Sequence, residues 1–177
     1  KDGNGNVAIP LTATQLLLIN LVTDGLPAIA LSTDPFEPNA MKRKPRKQNE
    51  PIYKDLEFFL LAYPIVLTIT SLSAFAWFLK HGSILHAQTA AFATIAISEL
   101  YRAFSCRSTI YPALKVGIFK NKYLVWSVLA SFAFVVAAIV TPLGENLFEL
   151  TPLGIMEFLV IMAISVVGAI VVEAYKY

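Results

Sequence analysis

The sequence contains one cysteine, Cys106, and few charged residues. A single thiol cannot form an internal disulfide framework and gives no metal-site spacing. Charged residues make up 15% of the 177 residues, and the net charge of +2 is too small to indicate a nucleic-acid partner. Residues 1–6 are polar, so the N-terminus lacks the apolar core and cleavage site of a signal peptide. Disulfide-rich, cysteine-metal and nucleic-acid-binding domains are therefore disfavoured.

Apolar residues, by contrast, are abundant and grouped in long runs. Hydrophobic residues make up 56% of the chain and the mean hydropathy is +0.64, which favours a membrane protein. Crossing a bilayer takes roughly 20 mostly apolar residues, and five runs qualify or nearly qualify as spans. They cover about residues 11–31, 56–79, 87–104, 123–140 and 152–172. Because no alternating barrel strands are present, we predict an all-α integral membrane bundle of five transmembrane helices over residues 1–177.

Positive charge is concentrated on alternate connections between these spans. Of the fourteen Lys and Arg residues, all except Lys1 and Lys80 lie in the first connection, in the third connection or near the C-terminus. The positive-inside rule then predicts that these basic loops and the C-terminus are cytoplasmic. The first span must therefore enter from outside, and a cytoplasmic start of the whole protein would require an odd number of further spans before Lys1. We expect the chain to be a fragment of a longer protein.

The first span carries polar residues beside a helix-breaking pair. Asn20, Thr23 and Asp24 are spaced i, i+3 and i+4, which places them on one face of an α-helix. Gly25 and Pro27 follow directly, and Pro27 has no N–H to bond the carbonyl of Thr23. We therefore predict that the first helix is broken near Gly25-Pro27. Broken membrane helices are tolerated where the freed backbone lines a cavity, and their carbonyls can coordinate cations.

The donor atoms offered by this segment are all oxygens. A carboxylate, an amide, a hydroxyl and a freed carbonyl suit a hard cation such as Ca²⁺, which takes 6–8 oxygen ligands. The segment could supply about half of such a shell. The alternative is that Asn20, Thr23 and Asp24 form hydrogen bonds between helices. That alternative does not account for an ionisable residue beside a helix break, since a charge at mid-membrane is costly.

The third span contains a second carboxylate, Glu99. Arg102 follows it at i+3, so the two can form an ion pair at the end of the helix with no role in binding. Alternatively, Glu99 adds a second acidic ligand to the first span's polar residues. The residues alone leave both interpretations open.

Two motifs closely resemble the P-type calcium-transporting ATPases. The first is QLLLINLVTDGLPAIAL followed by DPFEPNAMKRKPR, which is similar to the sixth transmembrane helix and the following cytoplasmic loop of that family. The second is AFSCRS with GIFKNKYL, which is similar to the loop between the eighth and ninth helices. The loop pattern M-x-R-x-P-R falls on Met41, Arg43, Pro45 and Arg46. The resemblance covers essentially the whole chain and implies helices six to ten, which agrees with five spans that start from outside.

The resemblance implies roles for four residues. Asn20, Thr23 and Asp24 match sixth-helix ligands of the transported Ca²⁺, and Asp24 matches a position shared between two ions where two bind. Glu99 matches the eighth-helix position and leaves a second ion site open. The chain has no D-K-T-G-T phosphorylation motif and no nucleotide-binding sequence. The resemblance therefore implies partners in the parent chain, namely upstream helices and cytoplasmic ATPase domains that use ATP and Mg²⁺.

Three functions remain open at this point. The first is the ion-binding membrane portion of an ATP-driven pump that moves Ca²⁺ out of the cytoplasm. The second keeps the pump but changes the ion to Mn²⁺, Na⁺ or another cation, because Mn²⁺ accepts the same oxygen ligands. The third is a stand-alone membrane bundle or channel subunit without catalysis.

Overall fold

The fold is a bundle of long helices joined by connections of unequal length. A computed structural model describes residues 8–36, 40–42, 45, 49–51, 53–54 and 56–176. The described part contains helices and no strand. The five long helices are α1 (Ala13–Leu31), α2 (Glu57–His81), α3 (Ile84–Ser105), α5 (Lys122–Val140) and α7 (Ile155–Tyr175). Two short helices, α4 (Ala113–Val116) and α6 (Pro142–Phe148), lie between them, with single 3₁₀ turns at Ala40–Lys42 and Ile118–Lys120.

Part of the predicted basic loop lies outside the described residues. This applies to Arg43, Lys44, Arg46 and Lys47.

Side-chain caps set where several of these helices begin. Thr12 and Gln15 form a reciprocal capping box at the start of α1, in which each side chain bonds the other's backbone N–H. Ser83 accepts the N–H of His86 at the start of α3, and Asn121 accepts the N–H of Leu124 at the start of α5. These caps satisfy backbone donors that would otherwise have no partner in the first turn.

Helix α7 begins later than the predicted start near residue 152. The Glu157 carboxylate accepts the N–H of Gly154 at 2.7 Å and so caps the helix there. The N–H of Thr151 instead donates to the hydroxyl of Thr89 on α3 at 2.9 Å. This bond holds the preceding segment against α3.

Contacts between helix ends show that the long helices alternate in direction. At one end, Phe58 at the start of α2 stacks on Tyr175 at the end of α7, and Lys176 donates to the carbonyl of Ser105 at the end of α3. At the other end, His86 near the start of α3 lies 3.1 Å from Glu157. We call the first of these the basic end, because α1, α3 and α7 finish there and the basic connections adjoin it. The basic residues described at this end include Arg102, Arg107, Lys115, Lys120, Lys122 and Lys176.

Helix α3 forms the centre of the bundle. It packs against α2, α5 and α7, and most of its residues are buried. Many of these are Ala, Ser and Thr, which let helix backbones approach closely in membrane bundles. The Ser98 hydroxyl donates to the carbonyl of Ser165 on α7, and the Ser165 hydroxyl reaches the carbonyl of Thr94. The polar groups of this buried helix are thus bonded to its neighbours.

The outer helices expose apolar side chains. Among the described residues, α1, α2, α5 and α7 are long and apolar enough to cross a membrane. Large side chains such as Leu61, Ile65, Trp77 and Trp126 are exposed on them, as expected for surfaces that face lipid. Helix α3 is not among these four, because its polar residues make it less apolar than the others. The four apolar helices agree with the predicted all-α membrane bundle, and α3 as a fifth span stays a prediction.

Candidate cation site

The irregular part of α1 is a π-helical segment. Ile19–Asp24 has π geometry, between the α-helical segments Ala13–Leu18 and Gly25–Leu31. The chain remains helical through Gly25 and Pro27, so the predicted break takes the form of a widened turn just before them rather than a gap. Such π turns inside α-helices occur frequently at functional sites.

The missing N–H of Pro27 accounts for this distortion of the helix. Because Pro27 has no N–H, it can bond neither the Thr23 carbonyl in α geometry nor the Val22 carbonyl in π geometry. The Val22 carbonyl accepts the hydroxyl of Ser131 on α5 at 2.7 Å instead. The Thr23 hydroxyl donates to the Ile19 carbonyl at 2.7 Å, a bond that favours bending. A neighbouring helix therefore compensates for part of the disrupted backbone bonding.

The polar residues of α1 point in different directions. Thr23 is buried, Asp24 is half-buried and Asn20 is exposed. The expectation of one shared face assumed α geometry, whereas a π turn bonds residues five apart and so changes which positions align. Asn20 is not among the residues that line the cavity described next, and its role as a ligand stays a prediction.

A cavity of about 320 Å³ lies between α1 and α3. Thr23, Asp24 and Pro27 line it from α1, and Glu99 and Arg102 line it from α3. Two carboxylates that are distant in sequence thus meet at one open cleft between these two helices. Three of the four predicted site residues are brought together here.

Arg102 lies between the two carboxylates. Its guanidinium forms an ion pair with Glu99, and its Nη2 is 3.7 Å from Oδ1 of Asp24. The guanidinium also lies over the ring of Tyr63, 5.2 Å from the ring centroid. The Glu99–Arg102 pair anticipated from the i+3 spacing is present. The contact between Arg102 and Asp24 was missed, because no local spacing relates residues on separate helices.

The donor set at this cavity is partial. Two carboxylates and a hydroxyl fall short of the 6–8 oxygens that Ca²⁺ takes. No group of three or more His, Cys, Asp or Glu residues placed to hold a metal ion occurs in the described part of the chain. A complete shell here would need ligands from outside this chain, backbone carbonyls or water.

Comparison with known proteins gives these features a family context. The profile of the family described as "Cation transporting ATPase, C-terminus" matches residues 8–177. The chain is 32% identical over 186 residues to calcium-transporting ATPase 1 of Bacillus cereus, covering 96% of this chain and 21% of that protein. It is 31% identical over 162 residues to a calcium-transporting ATPase of Bacillus subtilis, covering 90% of this chain and 18% of that protein.

A more distant relative comes from an animal. Calcium-transporting ATPase type 2C member 2 of Mus musculus is 27% identical over 163 residues, covering 90% of this chain and 17% of that protein. The chain thus spans about a fifth of the length of these relatives. Since the family profile matches nearly the whole of it, the chain belongs to the family of cation-transporting ATPases, as their C-terminal membrane region.

Proposed function

We propose that this chain forms the ion-binding membrane region of an ATP-driven pump that moves Ca²⁺ out of the cytoplasm. The observation that carries the proposal is the cavity where Asp24 and Glu99 face each other across α1 and α3. Ionisable residues within membrane-spanning helices are rare and mark ion or proton pathways. The names of the bacterial and animal relatives favour Ca²⁺ as the ion.

In this proposal each residue has a separate task. Asp24 and Glu99 attract the ion by charge, and Thr23 offers a neutral oxygen once its hydroxyl turns away from the Ile19 carbonyl. Asn20 is exposed, so it joins the site only if the π segment returns to α geometry and realigns that face. The α geometry then corresponds to a site with more ligands, and the π geometry corresponds to a site with fewer.

Arg102 supplies the counter-charge when the ion is absent. Its guanidinium pairs with Glu99 and lies near Asp24, where it offsets two carboxylates that would otherwise repel each other. A divalent ion that enters the cavity must displace Arg102 from Asp24. Because its contact to Asp24 is longer than its contact to Glu99, Arg102 leaves Asp24 more easily than it leaves Glu99.

The energy for transport comes from elsewhere in the proposed pump. Cytoplasmic domains of the parent chain bind ATP and Mg²⁺ and form the aspartyl phosphate. Helix movements then open the site to each side of the membrane in turn. Upstream helices of the parent chain supply the missing ligands. We place the basic loops and the C-terminus in the cytoplasm, where positive charge accumulates beside membrane spans.

The test is ATP hydrolysis by the full-length protein, titrated with Ca²⁺, Mn²⁺ and Na⁺. The proposal predicts stimulation by micromolar Ca²⁺, on the scale of cytosolic calcium sites of about 10⁻⁷–10⁻⁵ M. Stimulation by another cation alone would keep the pump and replace the ion. A rate of hydrolysis that does not change with any of the three cations would overturn the proposal of a pump and favour a passive bundle.

A further inference from the structure

Arg102 lines a second cavity besides the candidate cation site. This space has a volume of about 250 Å³ and lies between α2, α3 and α7, and we call it the α2 cavity. Leu60, Tyr63 and Pro64 line it from α2. Because Arg102 adjoins both spaces, its guanidinium has room to turn away from Asp24 and toward α2.

The polar side chain that α2 contributes to this lining is Tyr63. This residue is 6% exposed, and its hydroxyl oxygen is buried with no hydrogen-bond partner among the described residues. Buried hydroxyl groups are normally bonded, so an exception calls for an explanation. A phenol oxygen can accept a hydrogen bond as well as donate one. The α2 cavity thus holds an available acceptor close to a guanidinium.

The ring of Tyr63 is held between α7 and the arginine. A Cβ at Gly168 on α7 would lie 3.1 Å from Cε2 of this ring, so the glycine lets the ring pack directly against the helix. On α3, the guanidinium carbon of Arg102 lies 5.2 Å from the ring centroid. With the ring fixed by packing, a turn of the arginine side chain is enough to bring its N–H groups from the ring face to the hydroxyl.

Pro64 provides a second acceptor in the same turn of α2. It lies inside the helix and has no N–H, so the carbonyl of Leu60 has no α-helical partner. Both residues line the α2 cavity. A guanidinium has five N–H donors and needs several acceptors when it leaves a carboxylate. The hydroxyl and this carbonyl are suited to receive it.

We propose that Tyr63 is a positioning residue of the cation site, whose hydroxyl accepts the Arg102 guanidinium when Ca²⁺ displaces it from Asp24. This inference rests on the proposed function, since it requires an ion that competes with the arginine. Arg102 then has two positions, one toward Asp24 in the ion-free site and one toward Tyr63 in the ion-bound site.

The hydroxyl acts on ion binding by lowering the cost of moving the arginine. A guanidinium that left Asp24 without a new acceptor would lose a hydrogen bond away from water, which is costly for a charged donor. A hydrogen bond to Tyr63 offsets part of this cost and so favours the ion-bound state. When the ion leaves, Arg102 returns to Asp24 and again balances the two carboxylates.

The test measures equilibrium binding of radioactive Ca²⁺ to the full-length protein and to Tyr63→Phe. This variant keeps the ring, and with it the packing on Gly168 and the contact with Arg102. We expect Ca²⁺ binding to weaken about tenfold, the lower end of what a hydrogen bond to a charged donor contributes. The control Tyr123→Phe removes an exposed hydroxyl outside both cavities and should bind Ca²⁺ as the unchanged protein does.

The same substitution in an Arg102→Gln background separates a positioning role from a structural one. Tyr63→Phe should have no further effect there, because no guanidinium is left to receive. Equal losses in both backgrounds would overturn the proposal, since the hydroxyl would then act independently of the arginine. If the unchanged protein binds Ca²⁺ and Tyr63→Phe binds it equally well, this inference fails and the proposed function stands.

Thermal unfolding without Ca²⁺ gives an independent check. Because the hydroxyl has no partner in the described structure, Tyr63→Phe should unfold at the same temperature as the unchanged protein. A lower melting temperature, or failure of the variant to fold, would show that the hydroxyl is already bonded in the ion-free protein and would overturn the proposal. Absence of Ca²⁺ binding by the unchanged protein would instead overturn the proposed function.

Discussion

Two Asp–Arg pairs connect α1 and the segment that follows it to α3 and the segment that follows it, and they differ in construction. Asp34 and Arg107 lie 2.9 Å apart, with side chains that are 14% and 0% exposed. Asp24 and Arg102 lie 3.7 Å apart, with side chains that are 40% and 37% exposed. Asn121 and the Gly117 carbonyl form further hydrogen bonds with the first pair, whereas the arginine of the second pair is shared with Glu99.

This difference separates a structural pair from an adjustable one. A largely buried pair with several hydrogen bonds stabilises the fold through its geometry, and removal of one partner leaves an uncompensated charge. A longer, partly exposed pair contributes little to stability and can exchange its partner for another cation. The comparison therefore predicts that substitutions at the two pairs affect different properties of the protein.

The largest loss of stability is expected from Arg107→Gln. The change leaves the Asp34 carboxylate buried without its cation, which costs on the order of 3 kcal/mol. Thermal unfolding of the full-length protein in detergent measures this loss. Arg107→Lys should restore only part of it, because an ammonium cannot serve both Asp34 and Gly117 with fork geometry. Unfolding at the original temperature in Arg107→Gln would show that the pair is not structural.

Glu99→Gln should weaken the cation site without unfolding the protein. The loss of one charge near a divalent ion is worth on the order of 2 kcal/mol, which corresponds to about a thirtyfold higher Ca²⁺ concentration at half-stimulation. The readout is Ca²⁺-dependent ATP hydrolysis. The control is Glu145→Gln, which removes an exposed carboxylate on the short helix α6 and should change nothing. An unaltered Ca²⁺ response in Glu99→Gln would leave this residue as a partner of Arg102 only.

Arg102→Gln should have the opposite effect on the same measurement. Removal of the resident positive charge leaves two carboxylates that attract a divalent ion more strongly. We expect Ca²⁺ binding to tighten about tenfold, equivalent to roughly 1.4 kcal/mol. Arg102→Lys keeps the charge and serves as the control. Weaker binding in Arg102→Gln would contradict the role of this arginine as a competing cation.

Ser131→Ala should give the smallest effect. It removes the hydroxyl that bonds the Val22 carbonyl and should destabilise the protein by about 1 kcal/mol. Ser127→Ala on the same helix is the matched control, since its hydroxyl donates to the Leu124 carbonyl of its own helix. Equal melting temperatures for the two variants would show that Ser131 does not support the π segment.

The sequence predicts the helices better than their irregularities. Long apolar runs were sufficient for the outer helices, because lipid-facing residues are apolar wherever they lie along the helix. The π segment at Ile19–Asp24 could not be placed, since Pro27 only requires that some carbonyl lose its partner. Which carbonyl loses its helical partner, and which group bonds it instead, depends on Ser131 from a distant helix.

The contacts within the candidate site show the same limit of prediction from sequence. Local spacing was enough to pair Glu99 with Arg102, because both lie on one helix. The approach of Asp24 to Arg102 and of Asp34 to Arg107 depends on how α1 packs against α3. The buried Nη2 of Arg107, which has no hydrogen-bond partner among the described residues, is likewise a product of packing and has no signature in the sequence.

The most direct test of the account compares Asp24→Asn with Asp34→Asn in the full-length protein. Equilibrium binding of radioactive Ca²⁺ and thermal unfolding are measured for both variants. The account predicts that Asp24→Asn loses Ca²⁺ binding and keeps its melting temperature, whereas Asp34→Asn lowers the melting temperature and still binds Ca²⁺ when folded. Retained Ca²⁺ binding in Asp24→Asn, with losses only in Asp34→Asn, would contradict the assignment of the cation site to the cavity between α1 and α3.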